Sequence, residues 1–269
     1  MIGVFDSGYG GLTVLSGLFN KLPGYDYIYL GDNARAPYGN KSQEVIYSYT
    51  KEALDFLFNN GCEIVILACN TASSKALRRI QQEFLPEHYP GKKVLGVVIP
   101  LAEAINPVKG AKRVGVIGTK ATIGSSVYST EIKKIYPDIE VFEKACPLLV
   151  PLIEEGWCKK VETRMILKKY LRPLKTKGID TLILGCTHYP FLIEIIKSIM
   201  GKRVWIPDPP AIIAKSFKHY LERHPEIENK LSKDSRRSYY TTDDKGSFRD
   251  FADKFFPFRI DLIERVDLK

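Results

Sequence analysis

Two cysteines occupy equivalent places in a repeated segment. Residues 61–71 read Gly-Cys-Glu-Ile-Val-Ile-Leu-Ala-Cys-Asn-Thr, and residues 178–188 read Gly-Ile-Asp-Thr-Leu-Ile-Leu-Gly-Cys-Thr-His. Glycine, acid, apolar run and cysteine thus recur about 117 residues apart, ending on Cys69 and Cys186. Each cysteine closes a buried-strand pattern, and in open α/β sheets ligands bind outside the carboxyl ends of the strands. One such thiol would suggest a nucleophile. Two thiols related by pseudo-symmetry suggest a pair that faces one carbon from opposite sides, which is what stereoinversion requires: one thiolate removes a proton while the opposite thiol delivers another. Asn70-Thr71 and Thr187-His188 then supply capping-type or donor side chains, and Pro190 suits a first helical turn. The dipoles of the helices so opened are expected to favour thiolate and to draw the thiol pKa, ordinarily about 8.5, toward neutral.

Further polar residues stand at turns of the same kind. Asp6-Ser7-Gly8-Tyr9-Gly10-Gly11 follows an apolar run, but the dinucleotide fingerprint would need a glycine where Thr13 stands, so it fails. Asp6 could orient an ammonium group or assist a thiol, and Ser7 could bind a carboxylate. Gly118-Thr119-Lys120-Ala121-Thr122 lacks phosphate-loop spacing, leaving the hydroxyls of Thr119 and Thr122 to hydrogen-bond a ligand carboxylate. His188 gains functional weight from standing two residues after a repeat cysteine. Tyr38 lies in the turn Ala36-Pro37-Tyr38-Gly39. Cys62, Cys146 and Cys158 read as core thiols, and His88, His219 and His224 as solvated surface.

Around these residues, short apolar runs alternate with helix-length amphipathic stretches, the pattern of parallel sheets flanked by helices. Strands are predicted at 2–5, 26–30, 63–68, 93–98, 113–117, 139–143, 180–184 and 203–206. Helices are predicted at 43–59, 73–84, 125–135, 161–176 and 190–200. A weaker echo pairs residues 2–7 with 114–119, so the fold expected is a duplicated α/β unit. The border falls near 97–112, around Asn106-Pro107, and Pro207-Asp208-Pro209-Pro210 ends the second unit. Residues 1–97 plus 211–269 are expected to form one domain and 98–210 the other.

Composition bounds the chemistry. Five cysteines with no C-x-x-C pair argue against both a disulfide framework and a zinc site. The net charge of +9 raises nucleic acid as a partner, but Lys133-Lys134, Lys159-Lys160 and Lys168-Lys169 read as solvated helix faces. A positive field that draws in a dianionic substrate fits at least as well. The opening Met1–Asp6 meets a carboxylate too early for a signal-peptide apolar region, and no apolar run approaches a membrane span, so a cytoplasmic protein is expected.

Asp6-Ser7-Gly8, Pro37-Tyr38-Gly39, Cys69-Asn70-Thr71-Ala72, Thr119 with Thr122, and Cys186-Thr187-His188-Tyr189-Pro190 resemble, in order, the motif set of glutamate racemases. The resemblance runs from residue 2 to about 210 and is least informative over 230–269. It implies two pseudo-symmetric flavodoxin-like domains, substrate in the cleft between them, no cofactor and no metal. It implies that Cys69 abstracts the α-proton of the D-isomer and Cys186 that of the L-isomer, with Asp6 and His188 assisting. Glu154 in Pro151-Leu152-Ile153-Glu154-Glu155-Gly156 is a further acidic assistant, with neighbouring Glu155 an alternative. Ser7, Tyr38, Gly39, Asn70, Thr71, Thr119, Thr122 and Thr187 would join Asp6 and His188 in binding substrate. The function implied is L-/D-glutamate interconversion for peptidoglycan synthesis, with a homodimer admitted. A racemase of aspartate or another amino acid, and a non-catalytic two-lobed ligand-binding protein, are the alternatives.

Overall fold

Apolar runs that end in glycine or a polar turn become strands. β1 (Ile2–Asp6), β2 (Tyr27–Gly31), β3 (Ile64–Leu67) and β4 (Lys93–Gly96) come first, then β5 (Arg113–Gly118), β6 (Glu140–Ala145) and β7 (Thr181–Gly185), and last β8 (Arg237–Thr241) and β9 (Ile263–Arg265). The computed structural model describes residues 1–105, 111–256, 258, 260 and 262–268; Asn106-Pro107, expected at the border of the two units, lies outside them.

Two parallel sheets result, in the orders β4-β3-β1-β2-β8-β9 and β6-β5-β7. The repeat is visible in the pairing. β1 lies between β2 and β3 as β5 lies between β6 and β7, so both sheets follow the flavodoxin-like order 2-1-3. The strand expected at 203–206 is a correction: it is reduced to one parallel bridge, Thr181 to Trp205. The Leu182 amide donates to the Trp205 carbonyl at 2.9 Å and the Trp205 amide to that of Asp180 at 2.7 Å. Pro207 has no amide proton with which to extend the ladder. β8 and β9 were not expected. Both extend the first sheet beyond β2, and helix Pro209–Arg223 packs on helix Leu12–Lys21. The C-terminal stretch therefore returns to the first sheet.

Alternation along the strands divides each core in two. On β1, Ile2 and Val4 face one layer and Phe5 the other; on β7, Leu182 and Leu184 face one layer and Ile183 the other. Burying such a side chain contributes about 1.5–3 kcal/mol.

Helices Gln43–Asn59 and Val161–Thr176 have the expected bounds, the first capped by the Ser42 hydroxyl, which accepts from the Val45 amide at 3.3 Å. The helix expected at 73–84 begins earlier, as Asn70–Lys75, and reaches Phe84 through Leu77–Arg79 and a π-helical turn at Ile80–Phe84. That expected at 125–135 forms as Val127–Ile135, and the left-handed Ser126, with a φ of 53°, separates it from a short preceding helix, Lys120–Gly124, that was not expected. That expected at 190–200 opens with a 3₁₀ turn, Tyr189–Leu192, before helix Ile193–Met200. Among the described residues, no helix is long and apolar enough to cross a membrane.

Candidate active site

The carboxyl ends of β1, β3, β5 and β7 converge on one cavity of about 390 Å³, its open mouth included. Both thiols line it, Cys69 just after β3 and Cys186 just after β7. Ser7, Tyr38, Gly39, Asn70, Thr71, Thr119, Glu154, Thr187 and His188 line it with them. Asp6 and Thr122 lie one layer behind, fully buried. The larger grooves of the molecule contain neither thiol.

The N-terminal turn is folded over the Asp6 carboxylate, which accepts from the Gly8 amide at 3.1 Å and the Thr187 hydroxyl at 3.3 Å. The Thr13 hydroxyl donates to the Gly10 carbonyl at 2.8 Å and lies 3.2 Å from that of Thr187. A Cβ on Gly10 would lie 2.4 Å from both His188 Nδ1 and Thr187 Oγ1. The first repeat unit therefore touches the Cys186 turn through a residue that must be glycine. Burial raises the Asp6 carboxyl above its usual range, against the His188 charge and the Gly11, Gly8 and Thr187 hydrogen bonds.

The Cys69 sulfur lies 3.3 Å from the Ser7 hydroxyl. Burial first, and the Asp6 charge second, push this thiol up to about 12, against the Ser7 and Ala72 hydrogen bonds. The expected lowering of this thiol by a helix dipole is thus corrected. The helix it caps, Asn70–Lys75, is only six residues long, and desolvation of the thiolate outweighs what its amides supply.

On the other side, His188 stands two residues after Cys186 and lines the cavity with it, and its Nε2 lies 2.9 Å from Glu154 Oε1. Burial alone would lower His188, but the interactions with Cys186 and Glu154 outweigh it and raise the imidazole to about 10. Of the two candidate acids, it is Glu154 that reaches the histidine; Glu155 is exposed at the end of the same helix.

Three hydroxyls close the cavity between the repeats. Thr71 Oγ1 lies 3.0 Å from Thr119 Oγ1 and 3.3 Å from Thr122 Oγ1, and Thr119 lies 3.0 Å from Thr122. Thr119 also caps its helix, accepting from the Thr122 amide at 3.1 Å. A Cβ on Gly39 would sit 2.7 Å from Thr119 Cβ, so here too a glycine permits close approach. Cys62 and Cys146 are core residues and Cys158 is half-buried. His88 and His219 are exposed, while His224 is half-buried and stacks on Tyr220. The lysine pairs at 133–134, 159–160 and 168–169 are exposed. Among the described residues, no group of His, Cys, Asp and Glu side chains could hold a metal ion.

The Asp/Glu/Hydantoin racemase family matches residues 10–216. The chain belongs to this family. It is a racemase, and its relatives over almost the full length are glutamate racemases. That of Geobacter metallireducens is 40% identical, with 100% of this chain and 97% of the relative covered. Among solved structures, the glutamate racemase isoform RacE1 of Bacillus anthracis has a TM-score of 0.89 at 34% identity, covering 100% of this chain and 97% of that one. The glutamate racemase of Francisella tularensis, solved in complex with D-glutamate, has a TM-score of 0.88 at 36% identity with the same coverage.

Sequence reasoning missed two supports of the racemase cavity. Asp32 is fully buried at the end of β2; it accepts from the Tyr38 hydroxyl and from Thr242 Oγ1 at 2.9 Å, and pairs with Arg35 Nε at 2.7 Å. An acid that follows an apolar strand, as Asp6 does, was the signal that could have found it. Tyr128 is the second; a tyrosine among Ser125, Ser126, Ser129 and Thr130 gives no sign in the sequence of a task at the cavity.

Proposed function

We propose that this racemase interconverts L- and D-glutamate without a cofactor, using Cys69 and Cys186 as acid and base. The observation that carries the reading is that the thiols of two repeated strand ends line one cavity. Substrate enters as a small dianion with an ammonium group. Ser7, Asn70, Thr71 and Thr187, with the hydroxyls of Thr119 and Thr122, supply donors for its carboxylates, and Asp6 supplies a negative charge for the ammonium. Tyr38 and Gly39 complete the wall beside Thr119.

With L-glutamate, the Cys186 thiolate takes the α-proton and the electron pair stays on the carbon, delocalised into the adjacent carboxylate. The Cys69 thiol then gives its proton to the opposite face, which leaves D-glutamate, a Cys69 thiolate and a Cys186 thiol. D-glutamate reverses every step. A thiol pushed up to about 12 is protonated at neutral pH, which suits Cys69 to donate in the first direction. His188 holds a proton beside Cys186 and Glu154 holds His188 in place, so the imidazolium can balance charge as that sulfur gains and loses its proton.

The reading carries with it D-glutamate supply to peptidoglycan, a cytoplasmic location, a homodimer, and a division into residues 1–97 plus 211–269 and residues 98–210. Chiral chromatography of L-glutamate incubated with the pure protein tests the activity. D-glutamate should accumulate to an equal mixture with no additive. No inversion, or faster turnover of L-aspartate, would overturn the assignment.

A further inference from the structure

Tyr128 belongs to the second repeat yet ends beside the first thiol. It is the second residue of helix Val127–Ile135, which starts from the left-handed Ser126, and it is fully buried. Its ring lies across the end of β7: a Cβ on Gly185 would come within 3.0 Å of its Cε2. Its hydroxyl donates to Asn70 Oδ1 at 2.5 Å. One side chain thus touches the residue before Cys186 and the residue after Cys69.

The consequence lies in the chemistry of the amide. An asparagine side chain has one end that accepts and one that donates, and the two ends are almost the same size. Asn70 lines the cavity, where an anionic substrate would be attracted by the NH₂ end and repelled by the oxygen. A neighbour that can only donate decides which end points away. Burial, and beyond it the Cys186 charge, hold the Tyr128 hydroxyl far above the ordinary tyrosine range, so it remains a donor throughout the working pH range.

We propose that Tyr128 is a positioning residue for substrate binding: by donating to Asn70 Oδ1 it turns the Asn70 NH₂ toward the cavity and ties the turn after β3 to the end of β7. The inference rests on the glutamate reading above and assigns a new participant to it. Tyr128 touches no reacting atom. Its effect passes through Asn70, so it belongs to binding rather than to proton transfer.

Tyr128→Phe removes one oxygen and keeps the ring in place. KM for both glutamate enantiomers should rise about tenfold while kcat changes less than about threefold, with the far-UV spectrum and melting transition retained. In an Asn70→Ala background the same substitution should add no further loss, because the residue it acts through is gone. An unchanged KM in Tyr128→Phe, or an additive loss in the double variant, would overturn the inference. Should Tyr128→Phe fail to fold, Asn70→Asp carries the test. Its carboxylate still accepts from Tyr128 but offers the cavity no donor, so glutamate binding measured by calorimetry should weaken at least tenfold; parent-like affinity would refute the proposed orientation. Inversion of glutamate by the parent protein is scored separately, so failure of the broader reading is distinguishable from failure of this one.

Discussion

Cys69 ends a strand pattern and is followed by Asn70 and Thr71; Cys186 ends its counterpart and is followed by Thr187 and His188. The backbones repeat, but the neighbourhoods do not. Around Cys69 stand a hydroxyl and a buried carboxylate, and the thiol is driven up to about 12. Around Cys186 stands an imidazole raised to about 10 and held by Glu154 at the cavity mouth. The two repeats bring one sulfur each to a single cavity, and a few differing residues give them different neighbours. Enantiomers have equal free energies in water, so kcat/KM must be the same in both directions at every pH. The chemical inequality of the two halves can therefore appear only in kcat and KM taken separately, in isotope exchange, and in pH dependence common to both directions.

The largest effect is expected from removing a sulfur. Cys69→Ala and Cys186→Ala should each lower inversion at least about a thousandfold, the upper range for a positioned acid or base. In heavy water the two should separate. Cys69→Ala keeps the base for L-glutamate and should wash deuterium into that enantiomer alone, whereas Cys186→Ala should do so only for D-glutamate. Mass spectrometry of the separated enantiomers decides it, and the opposite pattern would exchange the roles of the two halves. Cys62→Ala and Cys146→Ala, buried outside the cavity, should retain inversion and lose only packing stability.

How far this comparison could be read from the sequence depended on whether the signal was local. The thiol turns are legible because strand, thiol and cap lie within eleven residues, and the strand pattern of the repeat also located β1 and β5. β8, Arg-Ser-Tyr-Tyr-Thr, was not: only Tyr239 and Thr241 are buried, so its alternation is short, and its place beside β2 is decided by pairing across some two hundred residues of chain. β9 has three residues, too few for a period. The raised Cys69 thiol was missed for a related reason. A helix N-terminus can be seen in sequence, whereas the burial that overrides it cannot. His188 was found by its spacing, but its partner could not be chosen between Glu154 and Glu155 until the helix phase was known.

A smaller effect is expected from Asp6→Asn, which removes the buried charge beside Cys69. Initial rates followed by circular dichroism should fall about a hundredfold in kcat/KM, within the range for a general acid–base participant. A parent-like rate would show that the carboxylate serves only to fold the N-terminal turn. Smaller again is Glu154→Gln on the other half. The His188 proton, at about 10, is lost before that of Cys69, at about 12, so the imidazole is expected to set the alkaline limb of kcat at saturating glutamate, where ionisation of free substrate does not enter. Without the Glu154 charge that limb should move to lower pH, with about a tenfold lower rate at alkaline pH and little change at neutrality. An unmoved limb would detach His188 from the chemistry of Cys186.

The smallest expected effect is on stability, and it separates the halves by pH. His188 has an ordinary pKa of 6.5 and is raised to about 10 in the fold, so between those values the folded protein binds more protons than the unfolded chain. The stability this contributes is complete below about 6.5 and is lost as pH rises through 10. Cys62, Cys69 and Cys146 are raised from 9.0 to about 12, chiefly by burial, so their contribution declines only above pH 9. Between pH 6.5 and 9 the histidine therefore acts without the thiols. Thermal melts of the parent and of His188→Gln across this window should show the parent's advantage shrinking as pH rises, by about 2–4 °C for each kcal/mol of lost linkage. A Cys62→Ala variant should melt below the parent by a constant interval up to pH 9, and that interval should narrow only above it. If the gap between parent and His188→Gln stays constant from 6.5 to 9, His188 holds no extra proton in the fold, and the contrast between the two thiol neighbourhoods rests on Asp6 alone.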